Sequence, residues 1–387
     1  MVVESLMHVG VILPGGLTLL IIVLAFFKAA REESALMRID RLPLIDPLTV
    51  IIPARNEEER IGPTLESLLN EPSEALRIVV YDDSSSDKTA EVVRSIARTD
   101  PRVQLIQGGG EPAVGFGKPV ALARATTKAN AQSECLLFLD ADVHIKEGTL
   151  GGLYAKYKNS EAVISGCPDL ICGSPVESIF VPAFISMVAG QYAPSKVHDD
   201  QSKTAFLNGQ LIFVSQRALH AVGGFASVTD TILEDVALGH RLKAHGFKLR
   251  LADFRGLAAT RMYTSWTEIR MGFGKNACAL FGGPYRTIGL AFIGMCVALG
   301  PLMSLLASVL YRDALLQLIS MAIYALVVCM QFAMRRRMQV PSWPVLLVPL
   351  IYLGVFRVLA GAAWTQLRGG DVQWKDRVYT ANGPTES

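Results

Sequence analysis

The 387-residue sequence has little net charge, no regular cysteine spacing and no glycine-rich phosphate loop. A formal net charge of +2 gives no indication of a protein that wraps around nucleic acid. The six cysteines include one close pair, Cys167 and Cys172, without a matching second pair, so a zinc site is not expected. Glycine clusters at 108–110 and 115–117 match neither the Walker nor the dinucleotide-binding pattern. We therefore expect reduced thiols in a cytoplasmic or membrane setting.

Apolar residues make up 51% of the sequence, and the longest runs lie near its two ends. Residues 9–27 are uncharged and close to the ~20 residues that a helix needs to cross a bilayer. A cleaved signal peptide is the alternative, but the run is long for one, and Lys28 and Arg31 follow where small cleavage-site residues would lie. We therefore expect a retained anchor. No lysine or arginine precedes the run, whereas basic residues follow it, so the positive-inside rule predicts that the domain after the anchor is cytoplasmic.

Three further apolar segments lie near the C-terminal end, at residues 287–311, 314–334 and 345–364. The arginines at 335–337 separate the last two and mark that loop as cytoplasmic. The third segment contains a proline and Arg357, so it either crosses the bilayer or tilts and re-enters it. The predicted layout of this multi-pass cell-membrane protein has five parts: an anchor at 1–30, a cytoplasmic domain at 31–260, an interfacial amphipathic segment at 261–286, transmembrane segments at 287–366 and a polar tail at 367–387.

The middle of the chain alternates between strand and helix patterns. Short apolar runs at 48–52, 78–81, 103–106 and 136–139 predict buried parallel strands. Between the first two, Ile61, Leu65 and Leu68 recur at helical spacing. The alternation predicts an α/β fold in which helices cover a mostly parallel sheet. Ligands of such open sheets bind at the carboxyl ends of the strands.

Acidic motifs follow three of these strands, at the ends where a ligand is expected. They are Pro53-Ala54-Arg55-Asn56-Glu57, Asp82-Asp83-Ser84-Ser85-Ser86-Asp87 and Asp140-Ala141-Asp142. Each alone could be turn chemistry or, for Asp87, a helix cap, but three at one edge of a sheet favour a binding site. The Asp-x-Asp turn brings two carboxylates to one side, which suits Mg²⁺ or Mn²⁺ shared with a phosphate group.

A fourth candidate motif, Glu234-Asp235, precedes a predicted helix. Thr231 and Glu234 fit a capping box, which would give Glu234 a structural role. Asp235 is not needed for that cap and could act as a general base toward an acceptor hydroxyl. We expect His144 and the polar stretch 198–200 to be solvated, although the latter could order over a bound ligand.

Two apolar stretches, at 175–189 and 266–281, have helical spacing and begin after Ser174 and Ser265, which fit helix caps. Each is either a core helix or a helix that lies in the membrane interface. We expect the interface, where both segments could frame an opening from the bilayer toward Asp235.

Taken in order, these motifs resemble the family 2 inverting glycosyltransferases with the GT-A fold, over about residues 48–280. The resemblance extends to Asn208-Gly209-Gln210 and to Ala221-Val222-Gly223-Gly224-Phe225. The flanking apolar segments, the sequence Gly115-Phe116-Gly117-Lys118 and the tail Trp374-Lys375-Asp376-Arg377-Val378-Tyr379 are similar to the membrane-bound branch that glycosylates carotenoids, hopanoids and related lipids.

The resemblance implies that the GT-A domain at 31–260 binds the nucleotide sugar through six residues: Pro53, Arg55, Glu57, Asp83, Lys118 and Asp140. Of these, Asp83 would hold the base of the nucleotide, Lys118 would lie along the nucleotide or diphosphate, and Asp140 would face the ribose. Asp142 would bind the metal ion. Asp235 would be the base that takes the acceptor proton, with Glu234 beside it.

The sequence also departs from that family. The Gln-x-x-Arg-Trp motif of processive synthases is absent, and Gly272-Phe273-Gly274-Lys275-Asn276 stands in its place, which favours transfer of a single sugar. Phe116 and Asp376 replace a tryptophan and a glycine that are usual in the branch. These two differences leave the identity of the acceptor open, more than the type of reaction.

The predicted function is inverting transfer of one sugar from a UDP- or GDP-type donor to a hydroxyl or carboxyl group of a membrane lipid, such as a hopanoid, a carotenoid or another glycolipid precursor. The expected partners are the donor, the lipid acceptor and the bilayer, without nucleic acid. A catalytically silent membrane scaffold that binds a nucleotide sugar is the alternative. A nucleotidyltransferase is a weaker alternative, because it leaves Glu234-Asp235 unexplained.

Overall fold

The structure is a computed structural model that describes residues 2–109 and 117–370 and three short strands within 371–387, with side chains described for 13–109 and 117–370. The predicted Gly115 and Phe116 lie outside the described residues, as do Lys375 and Asp376. The chain divides into two units. The helical unit comprises Met1–Ser34, Cys172–Gln191 and Tyr263–Gly370, and the α/β unit comprises Ala35–Ile171, Tyr192–Met262 and Asp371–Ser387.

The helices and strands are numbered in chain order. The strands are β1 Met37–Arg38, β2 Leu48–Ala54, β3 Leu76–Asp82, β4 Val103–Gln107, β5 Cys135–Leu139, β6 Val143–Ile145, β7 Val163–Ser165, β8 Asp169–Leu170, β9 Leu211–Ser215, β10 Leu249–Asp253, β11 Ala258–Thr260, β12 Val372–Trp374, β13 Arg377–Thr380 and β14 Gly383–Pro384. The helices are α1 Val2–Glu33, α2 Ile61–Leu69, α3 Thr89–Thr99, α4 Gly117–Ala129, α5 Thr149–Ser160, α6 Pro175–Gln191, α7 Pro194–His198, α8 Gln216–Ala221, α9 Glu234–Ala244, α10 Trp266–Phe281, α11 Pro284–Leu310, α12 Ala314–Arg337 and α13 Val348–Leu367, with 3₁₀ turns at Phe225–Val228 and Trp343–Leu347.

The α/β unit is built on an eight-stranded sheet in the order β1-β10-β7-β9-β5-β2-β3-β4. Its strands pair in parallel except β9, which runs antiparallel to both β5 and β7. The central strands carry continuous apolar runs because helices cover both faces, and all five residues of β5 and of β9 are buried. The predicted mostly parallel sheet is confirmed, and each predicted strand and helix is present within a few residues of its expected bounds.

The sheet brings the carboxyl ends of β2, β3 and β5 together, because these three strands are parallel neighbours. The register pairs Ala54 at the end of β2 with Asp82 at the end of β3. A smaller sheet of β6, β11 and β8 continues from the Asp-x-Asp turn that follows β5. The acidic motifs therefore lie at one edge, as the alternation of strands and helices predicted.

The helical unit contains helices that are long and apolar enough to cross a membrane, at Leu13–Glu33, Pro284–Leu310, Ala314–Arg337 and Trp343–Leu367. Helices α1 and α11 approach closely: the Gly15 N–H donates to Ser304 Oγ at 3.1 Å. A methyl group on Gly300 would lie 2.8 Å from Thr18 Oγ1, so this interface requires small residues. At the other end of α1, Arg337 of α12 pairs with Glu33 at 2.6 Å.

Helices α6 and α10 belong to the helical unit and begin with the predicted caps. Ser265 Oγ accepts from the Glu268 N–H at 3.2 Å, and the Glu268 carboxylate accepts from the Thr264 N–H at 2.9 Å. At α6, the Glu177 carboxylate accepts from the Gly173 N–H at 2.8 Å. These reciprocal bonds satisfy backbone donors that have no partner within the helix.

Two local predictions are wrong. Thr231 does not cap α9, since the residue before the helix is Leu233 and the Thr231 hydroxyl donates to the Val228 carbonyl. Glu234 is therefore not part of a capping box. The stretch 198–200 is not simply solvated, because His198 Nε2 accepts from the Leu251 N–H at 2.7 Å and Asp200 pairs with Arg250 at 2.9 Å. Long-range partners that local sequence does not specify outweigh the local pattern in both cases.

Candidate active site

The loops that follow β2 and β3 interlock. Arg55 Nη1 donates to the Asp83 carbonyl at 2.8 Å, and the Asp83 N–H donates to the Ala54 carbonyl at 2.8 Å. Asn56 and Ser84 have positive φ angles of 53° and 57°, a conformation that side chains other than glycine rarely adopt. Backbone strain of this kind persists where surrounding contacts hold it, as at ligand-binding turns.

Further bonds tie the two loops together through the start of α3. The Glu57 N–H donates to Thr89 Oγ1 at 2.8 Å, and the Glu58 N–H donates to Asp87 Oδ2 at 3.1 Å. Asp87 Oδ1 also accepts from the Thr89 N–H at 2.9 Å, but the cap position of α3 is held by Lys88, so Asp87 stabilises the turn before the helix rather than capping it. Asp83 is 7% exposed, and Pro53 and Arg55 are half-buried beside it at the strand ends.

The Asp-x-Asp turn is fixed by hydrogen bonds to its backbone. The Asp140 N–H donates to the Gln210 carbonyl at 3.0 Å, and Thr64 Oγ1 donates to the Ala141 carbonyl at 2.8 Å. Asp142 Oδ1 is buried and has no hydrogen-bond partner among the described residues. Burial, together with the charges of Asp140 and Glu57, raises the pKa of Asp142 to about 7. A buried carboxylate without a partner and with acidic neighbours is stabilised by a cation.

Lys118, near the start of α4, connects the Asp-x-Asp turn with the start of α9. Its Nζ lies 2.6 Å from Asp140 Oδ1 and 3.6 Å from Glu234 Oε1. Burial disfavours the charged form of Lys118, but the carboxylates of Asp140, Glu234 and Asp235 outweigh it and raise its pKa above the usual range of lysine. Glu234 is thus an ion-pair partner within the cluster, which the capping-box interpretation missed.

Asp235 accepts two backbone hydrogen bonds at the start of α9. Its Oδ2 accepts from the Gly209 N–H at 2.7 Å, and its Oδ1 accepts from the Val236 N–H at 2.8 Å. Burial raises the pKa of Asp235, while Lys118 and these two N–H groups oppose the rise. The carboxylate is consequently held in one orientation and retains free lone pairs on both oxygens.

Gly209 separates Asp235 from Lys118. A methyl group at this position would lie 3.0 Å from Asp235 Oδ2 and 3.3 Å from Lys118 Nζ, closer than ordinary van der Waals contacts. The sequence prediction quoted Gly209 as part of a motif but gave it no role, because its reason for being glycine lies in two residues that are distant in sequence. A glycine between two polar residues is the only local signal.

Asn208, which the sequence prediction quoted in a motif without a role, and Cys167, which it did not connect with the site, also belong to this cluster. Asn208 Nδ2 donates to the Gly166 carbonyl and to Gln210 Oε1, each at 3.1 Å. Cys167 is an exposed free thiol near Asn208 and Asp235. All six cysteines are free thiols in the structure.

The structure therefore brings the predicted residues into two connected groups. The loops carrying Pro53, Arg55, Glu57 and Asp83 interlock, and the side chains of Lys118, Asp140, Glu234 and Asp235 meet. Asp142 joins both groups through the charges of Asp140 and Glu57. Among the residues with described side chains, no three His, Cys, Asp or Glu residues form a ready metal cage.

Comparison with known proteins adds to this geometry. Residues 49–222 match the protein family described as glycosyl transferase family 2. The 4,4'-diaponeurosporenoate glycosyltransferase of Staphylococcus aureus strain USA300 is 26% identical over 341 residues, which cover 86% of this chain and 88% of that protein. The protein of the same name from strain MRSA252 is 26% identical over 340 residues, with the same coverage.

A solved structure has a similar fold. It is the mannosyltransferase PcManGT from Pyrobaculum calidifontis in complex with GDP-Man and Mn²⁺. The TM-score is 0.54 at 16% identity, and the match covers 93% of this chain and 99% of that one. At this identity the similarity concerns the fold alone.

Proposed function

We propose that this chain, whose residues 49–222 match glycosyl transferase family 2, is a glycosyltransferase that moves a single sugar from a nucleotide diphosphate sugar to a hydroxyl or carboxyl group of a membrane lipid. The observation that carries this proposal is the meeting of Lys118, Asp140 and the carboxylates that begin α9. A scaffold that only bound a nucleotide would not need an oriented carboxylate beside the lysine. The named acceptor of the Staphylococcus aureus relative, diaponeurosporenoate, supports a lipid-like acceptor.

The interlocked loops supply the nucleotide end of the donor site. Asp83 takes the base, with Pro53, Arg55 and Glu57 around it, and Asp140 faces the ribose. Lys118 pairs with Asp140. We infer that a diphosphate draws this ammonium group toward its own oxygens, which exchanges one charged partner for another without leaving a buried charge unpaired.

A divalent cation fits the residues that are present. The unpartnered Asp142 Oδ1 is a hard oxygen ligand of the kind that Mg²⁺ and Mn²⁺ prefer, and the acidic surroundings favour positive charge. We propose that Asp142 holds the ion, with the donor diphosphate completing its coordination. When bound, it would neutralise negative charge on the departing diphosphate.

Asp235 serves as the general base. In an inverting transfer the acceptor hydroxyl attacks the anomeric carbon from the side opposite the diphosphate, and its proton must go to a nearby base. The Gly209 and Val236 N–H groups orient the carboxylate, and burial raises its pKa toward the range in which it can take a proton. For a carboxylate acceptor, which has no proton to give, Asp235 would orient rather than deprotonate.

We propose that the α/β unit faces the cytoplasm. Lys28 and Arg31 near the end of α1 and Arg337 at the end of α12 lie at the same end of the helical unit, as the Glu33–Arg337 pair indicates. The loop at the opposite end, 311–313, carries only Arg312 and Asp313 as charged residues. This asymmetry of basic residues supports a cytoplasmic location for the end of α1 that leads into the α/β unit.

The direct test is a transfer assay with the full chain in lipid nanodiscs. Radiolabelled UDP- and GDP-hexoses are supplied with Mg²⁺ or Mn²⁺ and a carotenoid, hopanoid or mixed membrane lipid extract, and the products are identified by mass spectrometry. We expect a lipid carrying one hexose, formed in amounts that exceed donor hydrolysis. Donor binding without transfer for every acceptor would support the silent scaffold instead.

A further inference from the structure

A proline inside α6 leaves one of its carbonyls without the usual partner. Pro182 has no N–H, so the Ser178 carbonyl four residues earlier loses its hydrogen bond within the helix. Ser178 is 4% exposed, so water does not readily replace that bond. A buried carbonyl without a donor is costly, and native structures nearly always supply one from elsewhere.

Arg335, near the end of α12, supplies the missing donor. Its Nη1 donates to the Ser178 carbonyl at 2.8 Å and to the Pro341 carbonyl at 3.0 Å, and its Nη2 donates to the Ile179 carbonyl at 3.2 Å. Arg335 is only 5% exposed, whereas the next residue, Arg336, is exposed. The two arginines would serve equally as positive-inside signals, but only Arg335 makes these bonds to α6.

The segment from Gly166 to Asn208 contains α6, and its two ends are hydrogen-bonded to each other next to the base. Gly166, before α6, accepts from Asn208, after α6, and the following Gly209 N–H orients Asp235. We propose that Arg335 is a positioning residue for the reaction, which holds α6 by replacing the hydrogen bond that Pro182 removes and so steadies the segment that presents Gly209 to Asp235. The part that concerns the reaction rests on the proposed function.

The test is a double-mutant cycle in the full chain in nanodiscs. Arg335→Met should lower the unfolding temperature by roughly 2–5 °C and lower the kcat of transfer by about an order of magnitude, with the donor KM unchanged. Pro182→Ala in the Arg335→Met background should recover most of both losses, because residue 182 then has an N–H to donate to Ser178. Arg336→Met is the matched control and should change neither quantity.

The possible outcomes distinguish a failure of the role proposed for Arg335 from a failure of the proposed function. Additive effects of Arg335→Met and Pro182→Ala, without recovery, would overturn the role of Arg335, as would an equal effect of Arg336→Met. A shift of the donor KM alone would overturn the reaction part. If no variant and no parent chain transferred sugar, the proposed function would fail, while the unfolding temperatures would still decide whether Arg335 substitutes for the missing N–H.

Contacts within the helical unit carry a second inference, which concerns the direction of α13. Tyr352 packs on α11 at Gly294, where an added methyl group would lie 3.5 Å from its ring, and a methyl group on Gly274 of α10 would lie 4.0 Å from Ala362. The rise of 1.5 Å per residue places Gly294 about 15 Å into α11. Seven helical residues and a three-residue link keep Gly274 within about 22 Å of the Pro284 that begins α11. If α13 ran parallel to α11, Ala362 would lie about 30 Å beyond Pro284, out of reach of Gly274.

Helix α13 therefore runs antiparallel to α11 and returns toward its beginning. A contact with α12 also fixes the position of Tyr352 along the helix axes, because the Gln331 side chain donates to Tyr352 Oη at 3.1 Å. Arg357 agrees with this direction, because it is exposed and lies near the middle of the apolar stretch Trp343–Leu367. In a crossing helix this charge would face the centre of the bilayer, whereas in a returning helix it lies about 7 Å from the level of Pro284.

We infer that the stretch Trp343–Leu367 re-enters the membrane rather than crossing it, so that the tail after Gly370 emerges on the cytoplasmic side. A Ser387→Cys variant, labelled with a membrane-impermeant maleimide, tests this in sealed vesicles. Signal above the parent chain should appear in inverted vesicles only. An Arg312→Cys variant in the opposite loop should label in right-side-out vesicles only and serves as the control. Labelling of Ser387→Cys in right-side-out vesicles would overturn the inference.

Discussion

Replacing Asp235 by asparagine should remove the base while keeping the size of the side chain. General-base catalysis typically contributes ~10²–10⁴ in rate, which corresponds to about 3–5 kcal/mol of barrier. Both carboxylate oxygens accept backbone N–H groups, at 2.7 Å from Gly209 and 2.8 Å from Val236, so the asparagine amide must turn its NH₂ toward one of these donors. Loss of one such bond to a charged acceptor costs about 1.5–3 kcal/mol, chiefly in stability.

The assay separates chemistry from binding. Donor affinity of Asp235→Asn, measured by isothermal titration calorimetry in nanodiscs, should stay within a few-fold of the parent, while the transfer rate falls at least 100-fold. Asp230→Asn removes an exposed carboxylate five residues earlier and controls for net charge. If donor affinity collapsed with the rate, or the rate fell less than about tenfold, Asp235 would be a binding residue rather than the base.

The raised pKa of Asp235 also predicts the pH profile. A group with a pKa above the ordinary 3.8 is still protonated at a pH where an exposed aspartate is ionised, and a protonated carboxyl cannot accept the acceptor proton. The acid limb of kcat should consequently lie above pH 3.8 for a hydroxyl acceptor. A flat kcat down to that pH would contradict the assignment.

Three other substitutions test neighbouring parts of the structure. Gly209→Ala should lower kcat by about 10–100-fold with little change in donor affinity, because the methyl group displaces Asp235 from its N–H donor; an unchanged kcat would refute the steric argument. Asp142→Asn should cut turnover about 100-fold or more and weaken the response to added Mn²⁺, and full activity of the parent in EDTA would count against the ion. His198 should make stability pH-dependent. Burial lowers its pKa below the usual 6.5, so the unfolded chain binds the proton more readily than the folded chain. The stabilisation is therefore present above pH 6.5 and is lost as pH falls. His198→Gln should flatten that part of the curve of unfolding temperature against pH, and an unchanged curve would rule His198 out.

The sequence predicts well those features that depend on neighbours along the chain. The apolar runs of β2, β3 and β5 and the acidic residues after them place one edge of the sheet correctly, because parallel strands end together. The caps of α6 and α10 are likewise local, and both are confirmed. Each of these predictions needed only spacing and residue type.

Features that depend on distant partners could not be predicted in this way. Glu234 fits a capping box locally, yet its partner is Lys118, more than a hundred residues earlier. Gly209 has a steric reason that appears only when Asp235 and Lys118 are placed on either side of it. In the sequence, Arg335 is one of three adjacent arginines that indicate membrane topology. Nothing in the local pattern indicates that it donates a hydrogen bond to the Ser178 carbonyl of α6.

The contact between Gly15 and Ser304 spans 289 residues, and this separation matters while the chain is being made. At a synthesis rate of roughly 5–20 residues per second, α1 waits about 15–60 s before its partner helix leaves the ribosome. During that time Gly15 and Thr18 face lipid or another membrane protein instead of α11. A chain shortened before α11 would keep α1 permanently in this state and would also leave the Ser178 carbonyl without Arg335. Such a chain should be retained by membrane chaperones or degraded, even though the α/β unit contains its own hydrophobic core.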